Sequence, residues 1–275
     1  MSKRIFLKTL LSATVAFGVM FSAQAQDALA RVKQAGVIKV GTETAFAPFD
    51  FIDAGAHVGL NVDLFTEVAK ELGVKLEWVA LPWEGVLPGL EAKKFDMVGG
   101  PATITKERME RYLFSPPIAE ATVALLKRKG DKSVMKPADV AGKAVGAGKA
   151  SAQLAQLKTF TDTLPGKADI REYPGNNEAY ADLAAGRIVA VGNSLPNISY
   201  VAQQRSDTFE VVKPAFGIKT YFGYLARKDA DSAKLMEAVG AAILKIKADG
   251  RLGKIQKKWF GDSFDTPDSV TTPNV

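Results

Sequence analysis

A short polar segment, residues 101–108, carries residue types that could bind a small anion. Thr103 offers a hydroxyl, and Thr105 is a typical N-cap residue for a helix that begins near Lys106. Arg108 would lie in the first turn of that helix, where the helix dipole disfavours a cation. A guanidinium beside free backbone amides could bind both oxygens of a carboxylate. The alternative is that Arg108 points into water or pairs with a surface acid.

Three carboxylates, Glu43, Glu84 and Glu178, stand at predicted strand ends or helix starts, where side chains can reach a cleft. None of them is paired with a recognisable base or nucleophile, so the residues alone favour solvated or capping roles. Two aromatic residues, Phe46 and Trp83, also follow predicted strands. They could sandwich an apolar or cationic part of a ligand, or they could belong to the core.

The residues needed for metal or nucleotide chemistry are sparse. His57 is the only histidine, and it lies in a polar turn that predicts a surface position. The chain has no cysteine, and the glycines at 146 and 148 lack the rest of a dinucleotide-binding fingerprint. We therefore expect no cofactor.

The elements that would position these residues alternate between strand and helix in the first half of the chain, which predicts an α/β fold. Leu64, Phe65, Val68, Ala69 and Leu72 repeat at helical spacing, with Gly73 as the helix stop. Two glycines and a proline after residue 98 should end the strand there. The predicted strands are 36–41, 74–81 and 95–98, with a hairpin over 49–60, and the predicted helices are 62–72, 84–94 and 106–112.

A polar connector, residues 129–142, separates this unit from a second alternating one. About 250 residues could form one large domain or two small ones. Two lobes that share two crossover strands explain the order of the elements, and a ligand would bind between them, beyond the carboxyl ends of the strands. One further strand is predicted before the connector, at 121–127. The second unit has predicted strands at 145–147, 170–173, 188–191 and 209–212 and helices at 151–160, 177–185 and 195–205. After it come an apolar segment at 219–227, a helix at 231–247 and a last helix ending at Trp259.

The first 25 residues have the pattern of a cleavable signal peptide. Three cations precede an apolar stretch at 10–21, and Ala23-Gln24-Ala25 is a typical cleavage site, so we expect cleavage after about Ala25. The formal charge is +6, but this segment carries three cations and no acid, which leaves +3. We predict an exported, freely diffusing protein of the periplasm that has no nucleic-acid partner.

Four separated motifs together resemble the periplasmic amino-acid-binding proteins of ABC importers, the solute-binding protein family 3. The resemblance implies a two-lobed fold of type II, in which each lobe is a small, mainly parallel sheet flanked by helices and two hinge strands join the lobes. It implies lobes at 26–122 with 221–275 and at 123–220, and a monomer that delivers one small ligand to a membrane permease. The motifs are 41–49, 58–64, 103–108 with Phe114-Ser115, and 248–261.

The resemblance also assigns roles to single residues. Arg108 and Thr103 would hold the ligand carboxylate, and Phe46 and Trp83 would stack on the ligand. The carbonyl of Pro101 could accept from a ligand amine. Ser151 would donate to the carboxylate, although Ala150 before it stands where glycine is usual.

One departure from the family pattern concerns the ligand's nitrogen. Val189 and Ser194 stand where many relatives have aspartate, and the second aspartate usually contacts the α-ammonium group. A hydroxyl would leave that charge unpaired, so we expect a ligand whose nitrogen is substituted, quaternary or missing. Alternatively, Glu43 or Glu84 reaches an ammonium from the first lobe. The predicted ligand-binding residues are Glu43, Phe46, Trp83, Pro101, Thr103, Arg108, Ser151 and Ser194.

A rival hypothesis is an enzyme on the same scaffold, since dehydratase-like proteins resemble these binders. It would need an acid in the cleft, for which Glu178 is a candidate. However, the position of Glu178 at a helix start, beside Asn176 and Asn177, is explained by capping and the helix dipole without any catalytic role.

Overall fold

The structure is a computed structural model that describes residues 26–275, so the predicted signal peptide lies outside the described residues. Within them, no helix combines the length and the apolar character needed to cross a membrane. The strands are β1 (Val37–Thr42), β2 (Ala45–Phe46), β3 (Asp50–Asp53), β4 (Ala56–Val58), β5 (Lys75–Ala80), β6 (Met97–Thr103), β7 (Tyr112–Phe114), β8 (Ala119–Glu120), β9 (Val123–Arg128), β10 (Ala144–Gly148), β11 (Asp169–Tyr173), β12 (Ala190–Ser194), β13 (Phe209–Val212) and β14 (Tyr221–Arg227). The helices are α1 (Ala28–Ala35), α2 (Leu60–Leu72), α3 (Trp83–Glu91), α4 (Lys106–Arg111), α5 (Ala152–Asp162), α6 (Asn176–Ala184), α7 (Leu195–Gln204), α8 (Ala230–Ala248) and α9 (Arg251–Phe260).

Two separate sheets define two lobes, which confirms the predicted α/β class. The sheet of the first lobe has the order β5-β1-β6-β14-β7, with β8 paired to β14, and the sheet of the second lobe has the order β11-β10-β12-β9-β13. Each sheet contains one reversed strand, β14 in the first and β9 in the second, and all the other strands run the same way. A small antiparallel sheet, β2-β3-β4, flanks the first lobe.

The chain passes between the lobes twice, from β8 to β9 and from β13 to β14. The two crossing segments lie side by side, because the Ala121 amide donates to the Thr220 carbonyl at 2.8 Å and the Gly217 amide donates to the Val123 carbonyl at 2.9 Å. Such a pair of short connections is the usual place for hinge motion. The boundaries 122/123 and 220/221 remain our proposal for the division into lobes.

The predicted apolar stripe on α2 forms part of the core of the first lobe. Leu64, Phe65, Val68, Ala69 and Leu72 are all buried, and all but Ala69 belong to the cluster that joins α2 to α1, α8 and the sheet. Burial of a side chain of this size contributes about 1.5–3 kcal/mol relative to its exposure. The helix ends where predicted, at a glycine with φ of 64°.

The predicted end of the third strand of the first lobe was wrong, because β6 continues through the two glycines and the proline to Thr103. Glycine is required for close packing here: a Cβ at Gly99 would lie 2.4 Å from a Val40 methyl group. The register between β6 and β14 shifts opposite this stretch, which forms a bulge and leaves room for Pro101, a residue without an amide hydrogen.

Smaller corrections concern element boundaries. The strand predicted at 188–191 lies at Ala190–Ser194, and the helix predicted to reach residue 112 ends at Arg111, where β7 begins. Thr105 is the N-cap of α4 as predicted, and its hydroxyl accepts from the Arg108 amide at 3.2 Å.

Candidate functional site

The carboxyl ends of the parallel strands of both lobes face a cavity of about 30 Å³. Seven of the eight predicted ligand-binding residues line it: Glu43, Phe46, Trp83, Pro101, Thr103, Arg108 and Ser151. The remaining lining residues all come from the second lobe, and none of them was predicted from the sequence to bind the ligand. They are Gly148, Lys149, Gln153, Pro174, Gly175, Asn176 and Asn193.

Direct contacts between the lobes enclose this cavity. Lys149 forms an ion pair with Glu84 at 2.7 Å, and the Trp83 indole donates to the Ala150 carbonyl at 3.3 Å. On the opposite side, the side-chain amide of Asn176 donates to the Ala45 carbonyl at 3.3 Å. The lobes are therefore in a closed arrangement, held by hydrogen bonds and one ion pair at the rim.

Arg108 contributes a partly buried positive charge to the first-lobe wall. Its guanidinium donates to the Thr103 carbonyl at 3.1 Å and lies 5.5 Å from the centre of the Trp83 ring. Burial lowers the pKa of Arg108 to about 10, so the group remains charged at neutral pH. Among residues 26–275 no carboxylate forms an ion pair with it. The charge is available for an anion that enters the cavity.

The second lobe presents the N-terminus of α5 to the same space. Ser151 is its N-cap: the hydroxyl accepts from the Leu154 amide at 3.0 Å and donates to the Gly148 carbonyl at 2.6 Å. The hydroxyl is therefore already used, and the predicted donation to a ligand would require it to exchange partners. The positive end of the helix dipole still favours an anion at this position.

Comparison with known proteins adds the family. The family model of the bacterial extracellular solute-binding proteins, family 3, matches residues 38–262. The chain belongs to this family. It is 32% identical over 235 residues to the L-cystine-binding protein TcyJ of Escherichia coli K12, which covers 85% of this chain and 86% of that protein.

Two further relatives match this chain over most of their own length. The lysine/arginine/ornithine-binding periplasmic protein of Escherichia coli K12 is 30% identical over 261 residues, which are 92% of this chain and 96% of that protein. A crystal structure of the ancestral amino acid-binding protein AncCDT-1, a precursor of cyclohexadienyl dehydratase, superposes with a TM-score of 0.75 at 32% identity, covering 85% of this chain and 99% of that one. The curated relatives named here are binding proteins and not enzymes.

Glu43 is the only acid that lines the cavity among the described residues of this solute-binding protein. Burial raises its pKa to about 8, and the negative charge of Asp50 adds to the shift. The solvated role that the residues alone favoured is therefore wrong for Glu43. Its carboxyl group holds a proton at neutral pH in most molecules, unless a cation approaches it.

His57 was predicted to lie at the surface, and this prediction was wrong. Its side chain is only 17% exposed, its Nε2 lies 2.9 Å from Asp50 Oδ1, and its ring contacts the Trp78 ring edge to face at 5.0 Å. Asp50 is fully buried and also accepts from the Asn61 side chain. Burial raises the pKa of Asp50, and the hydrogen bonds from His57 and Asn61 oppose that rise.

The eighth predicted residue, Ser194, is not brought to the cavity. It is fully buried, and its hydroxyl has no hydrogen-bond partner in the described part of the chain. Its neighbour Asn193 lines the cavity instead and donates to Asn176 Oδ1 at 2.9 Å and to the Tyr180 hydroxyl at 3.1 Å. Apart from Lys149, which pairs with Glu84, the polar side chains of the second-lobe wall are thus amides and the Ser151 hydroxyl.

The two aromatic residues line the cavity and also pack in core clusters of the first lobe. Phe46 lines the cavity, but it also stacks on Phe49 at 5.5 Å within the core of the first lobe. Trp83 contacts the Arg108 guanidinium on one side and belongs to the cluster around α3. Each presents one part of its ring to the cavity and the rest to the protein interior.

The other two candidate acids lie outside the cavity. Glu84 forms the rim ion pair with Lys149. Glu178 is exposed and lies in the first turn of α6, where the helix dipole favours a carboxylate. The acid that an enzyme in this cleft would need is therefore not supplied by Glu178.

The residues that the sequence analysis missed share one signal. Gly148, Pro174 and Asn193 stand at or just after the carboxyl ends of β10, β11 and β12. The rule that ligands bind beyond the carboxyl ends of strands, applied to the second lobe as well as the first, would have selected them.

Among residues 26–275, no group of three potential metal ligands is found.

Proposed function

We propose that this chain is the periplasmic solute-binding component of an ABC importer, which acts as a monomer and delivers a small, carboxylate-bearing, amino-acid-like ligand to an inner-membrane permease. Membership of family 3 and the names of the two Escherichia coli relatives support this proposal. The observation that carries it is the partly buried Arg108, which lines a cavity between two lobes and has no carboxylate partner among residues 26–275. The predicted signal peptide supports export.

The carboxylate of the ligand would bind between Arg108 and the N-terminus of α5. A buried cation without a partner is costly, and an anion that hydrogen-bonds to it recovers that cost. Because Arg108 belongs to the first lobe and α5 to the second, a shared carboxylate would link the lobes. Ligand binding would then stabilise the closed arrangement.

The lobes must separate before a ligand can enter. A cavity of about 30 Å³ has room for only about two water molecules, since one water needs about 10–15 Å³ of such space. An amino acid needs several times this space, so binding requires opening at the paired crossing segments. The rim contacts between Glu84, Lys149, Trp83 and Ala150 would break and re-form in each cycle.

The nitrogen of the ligand would be substituted, quaternary or missing. The second-lobe residues that line the cavity include no acid. Asn193 and Asn176, whose side-chain amides hydrogen-bond to each other, are neutral. Glu43 is the alternative receptor for an ammonium group. It would have to lose its proton, because burial raises its pKa to about 8. Glu84 is less available, since it already pairs with Lys149.

Two measurements test the proposal together. Mild denaturation of the purified protein, followed by mass spectrometry, identifies the small molecule that it carries. Calorimetry with that molecule should then give a roughly 150-fold higher Kd for Arg108→Ala, from the loss of about 3 kcal/mol of charged hydrogen bonds. Arg108→Lys should recover little, because an ammonium cannot reproduce the guanidinium fork.

The matched control is Arg111→Ala, which removes a cation from the same helix whose partner is Glu91. It should leave the Kd within about two-fold of the wild type. Normal binding by Arg108→Ala would refute the carboxylate anchor. Steady conversion of the released compound to a product would favour the dehydratase-like alternative.

A further inference from the structure

A groove of about 870 Å³ adjoins the small cavity, between α4 of the first lobe and α5 of the second. Arg108 and Ser151 line both spaces. A carboxylate bound at these two residues would therefore lie at the junction of the cavity and the groove. The groove therefore begins beside the proposed carboxylate anchor.

The wall of the groove is largely apolar. The rings of Phe160 and Phe216 stack with centroids 4.6 Å apart, and Leu87 faces the same space. Ile218 also lines it and is 56% exposed, one of the few large apolar side chains at the surface. Contiguous apolar side chains beside a polar anchor are typical of a ligand-binding groove.

One polar side chain in the groove has no partner. Both amide atoms of Gln156 are buried, and neither has a hydrogen-bond partner in the described chain. Gln156 lines the groove. Its Oε1 lies close to Gly217, because a Cβ added to that glycine would be 3.0 Å from the oxygen. An unsatisfied buried amide is unfavourable. The N–H and the C=O of a trans ligand amide point in opposite directions, so one of the two would hydrogen-bond to the Gln156 side chain.

We propose that the groove is an accessory subsite for an N-acyl substituent, so that the protein binds N-acylated amino acids. The carboxylate binds Arg108, the amide of the ligand hydrogen-bonds to Gln156, and the acyl chain lies on Phe160 and Phe216. An acylated nitrogen is uncharged, which suits a second-lobe wall without an acid. This inference rests on the proposed function, because it extends the same carboxylate anchor.

The test is calorimetry with a series of N-acylglycines, from acetyl through butanoyl and hexanoyl to octanoyl, with free glycine for comparison. N-acylglycines carry the carboxylate and the neutral amide without any side chain. A fully buried methylene strengthens binding about four-fold, and a half-open groove should give about two-fold per methylene, hence about 60-fold from acetyl to octanoyl. An affinity that is independent of chain length in the wild-type protein would overturn the proposal.

Variants locate the effect. Phe216→Ser and the more exposed Ile218→Ser should each reduce the gain with chain length, and Gln156→Leu should weaken every N-acylglycine by a similar factor. The control is Leu244→Ser, which removes a 37% exposed leucine on α8, and it should preserve the whole series. Equal chain-length dependence in Ile218→Ser and Leu244→Ser would overturn the assignment to the groove.

Arg108→Ala separates this inference from the proposed function. If Arg108→Ala abolishes binding of unsubstituted ligands while acylation brings no gain in the wild type, only the accessory subsite is wrong. If Arg108→Ala binds all carboxylates normally, the anchor itself is wrong and the subsite fails with it.

Discussion

Replacing Glu43 with glutamine should flatten the pH dependence of the protein's stability. In the folded protein, burial raises the pKa of Glu43 from an ordinary 4.5 to about 8. The folded state therefore holds a proton that the unfolded chain releases throughout the intervening pH range. The stability that Glu43 contributes is fully present below pH 4.5 and falls as the pH rises towards 8, because the native state must then bury a charged carboxylate.

The magnitude follows from proton linkage. Between pH 5.5 and 7.5 the folded state binds nearly one more proton than the unfolded state at this site, which lowers the free energy of unfolding by about 2.5 kcal/mol. The variant Glu43→Gln has no titrating group at this position and should lack that contribution. Asp50 and His57 remain in both proteins, so their contributions largely cancel in the comparison.

The assay is urea denaturation of ligand-free protein at several pH values between 5.5 and 7.5. Wild type should lose about 2.5 kcal/mol more than Glu43→Gln over this range. Glu107→Gln, which removes an exposed acid from α4, is the control and should follow the wild type. Parallel profiles for wild type and Glu43→Gln would show that Glu43 is ionised in the folded protein, and the argument from burial would be refuted.

Two further predictions concern the second lobe and its contact with the first. Asn193→Asp puts a carboxylate on the cavity wall and should strengthen binding of free α-amino acids in calorimetry. Ser194→Asp should instead lower stability by about 1–3 kcal/mol in thermal melts, because its position is buried. Stronger amino-acid binding by Ser194→Asp alone would mean that position 194 reaches the ligand. Glu84→Gln removes the rim ion pair, whose partners are 38% and 53% exposed, so about two-fold more open protein should appear in fluorescence energy transfer between the lobes. High salt should remove this difference, and its persistence in salt would contradict an electrostatic cause.

The local features of this protein follow from its sequence. The apolar spacing of α2 and the terminal Gly73 set that helix, and Thr105 caps α4 because a hydroxyl at this position satisfies a free amide. These features depend on residues three or four positions apart. The alternation of strands and helices likewise predicted the α/β class, and the residues predicted from the sequence and the family resemblance include seven that line the cavity.

Tertiary structure alone decided the features that depend on distant partners. The strand β6 passes through two glycines and a proline because β14, more than a hundred residues away, pairs with it across a bulge. His57 is held by a buried Asp50, and the charge state of Glu43 depends on what surrounds it. The choice between Asn193 and Ser194 follows from strand register, since a shift of one residue turns a side chain from the cavity to the core. No local pattern in the sequence determines which of these two side chains faces the cavity. The pairing of β12 with β9 and β10 and the packing of both faces of the sheet determine it.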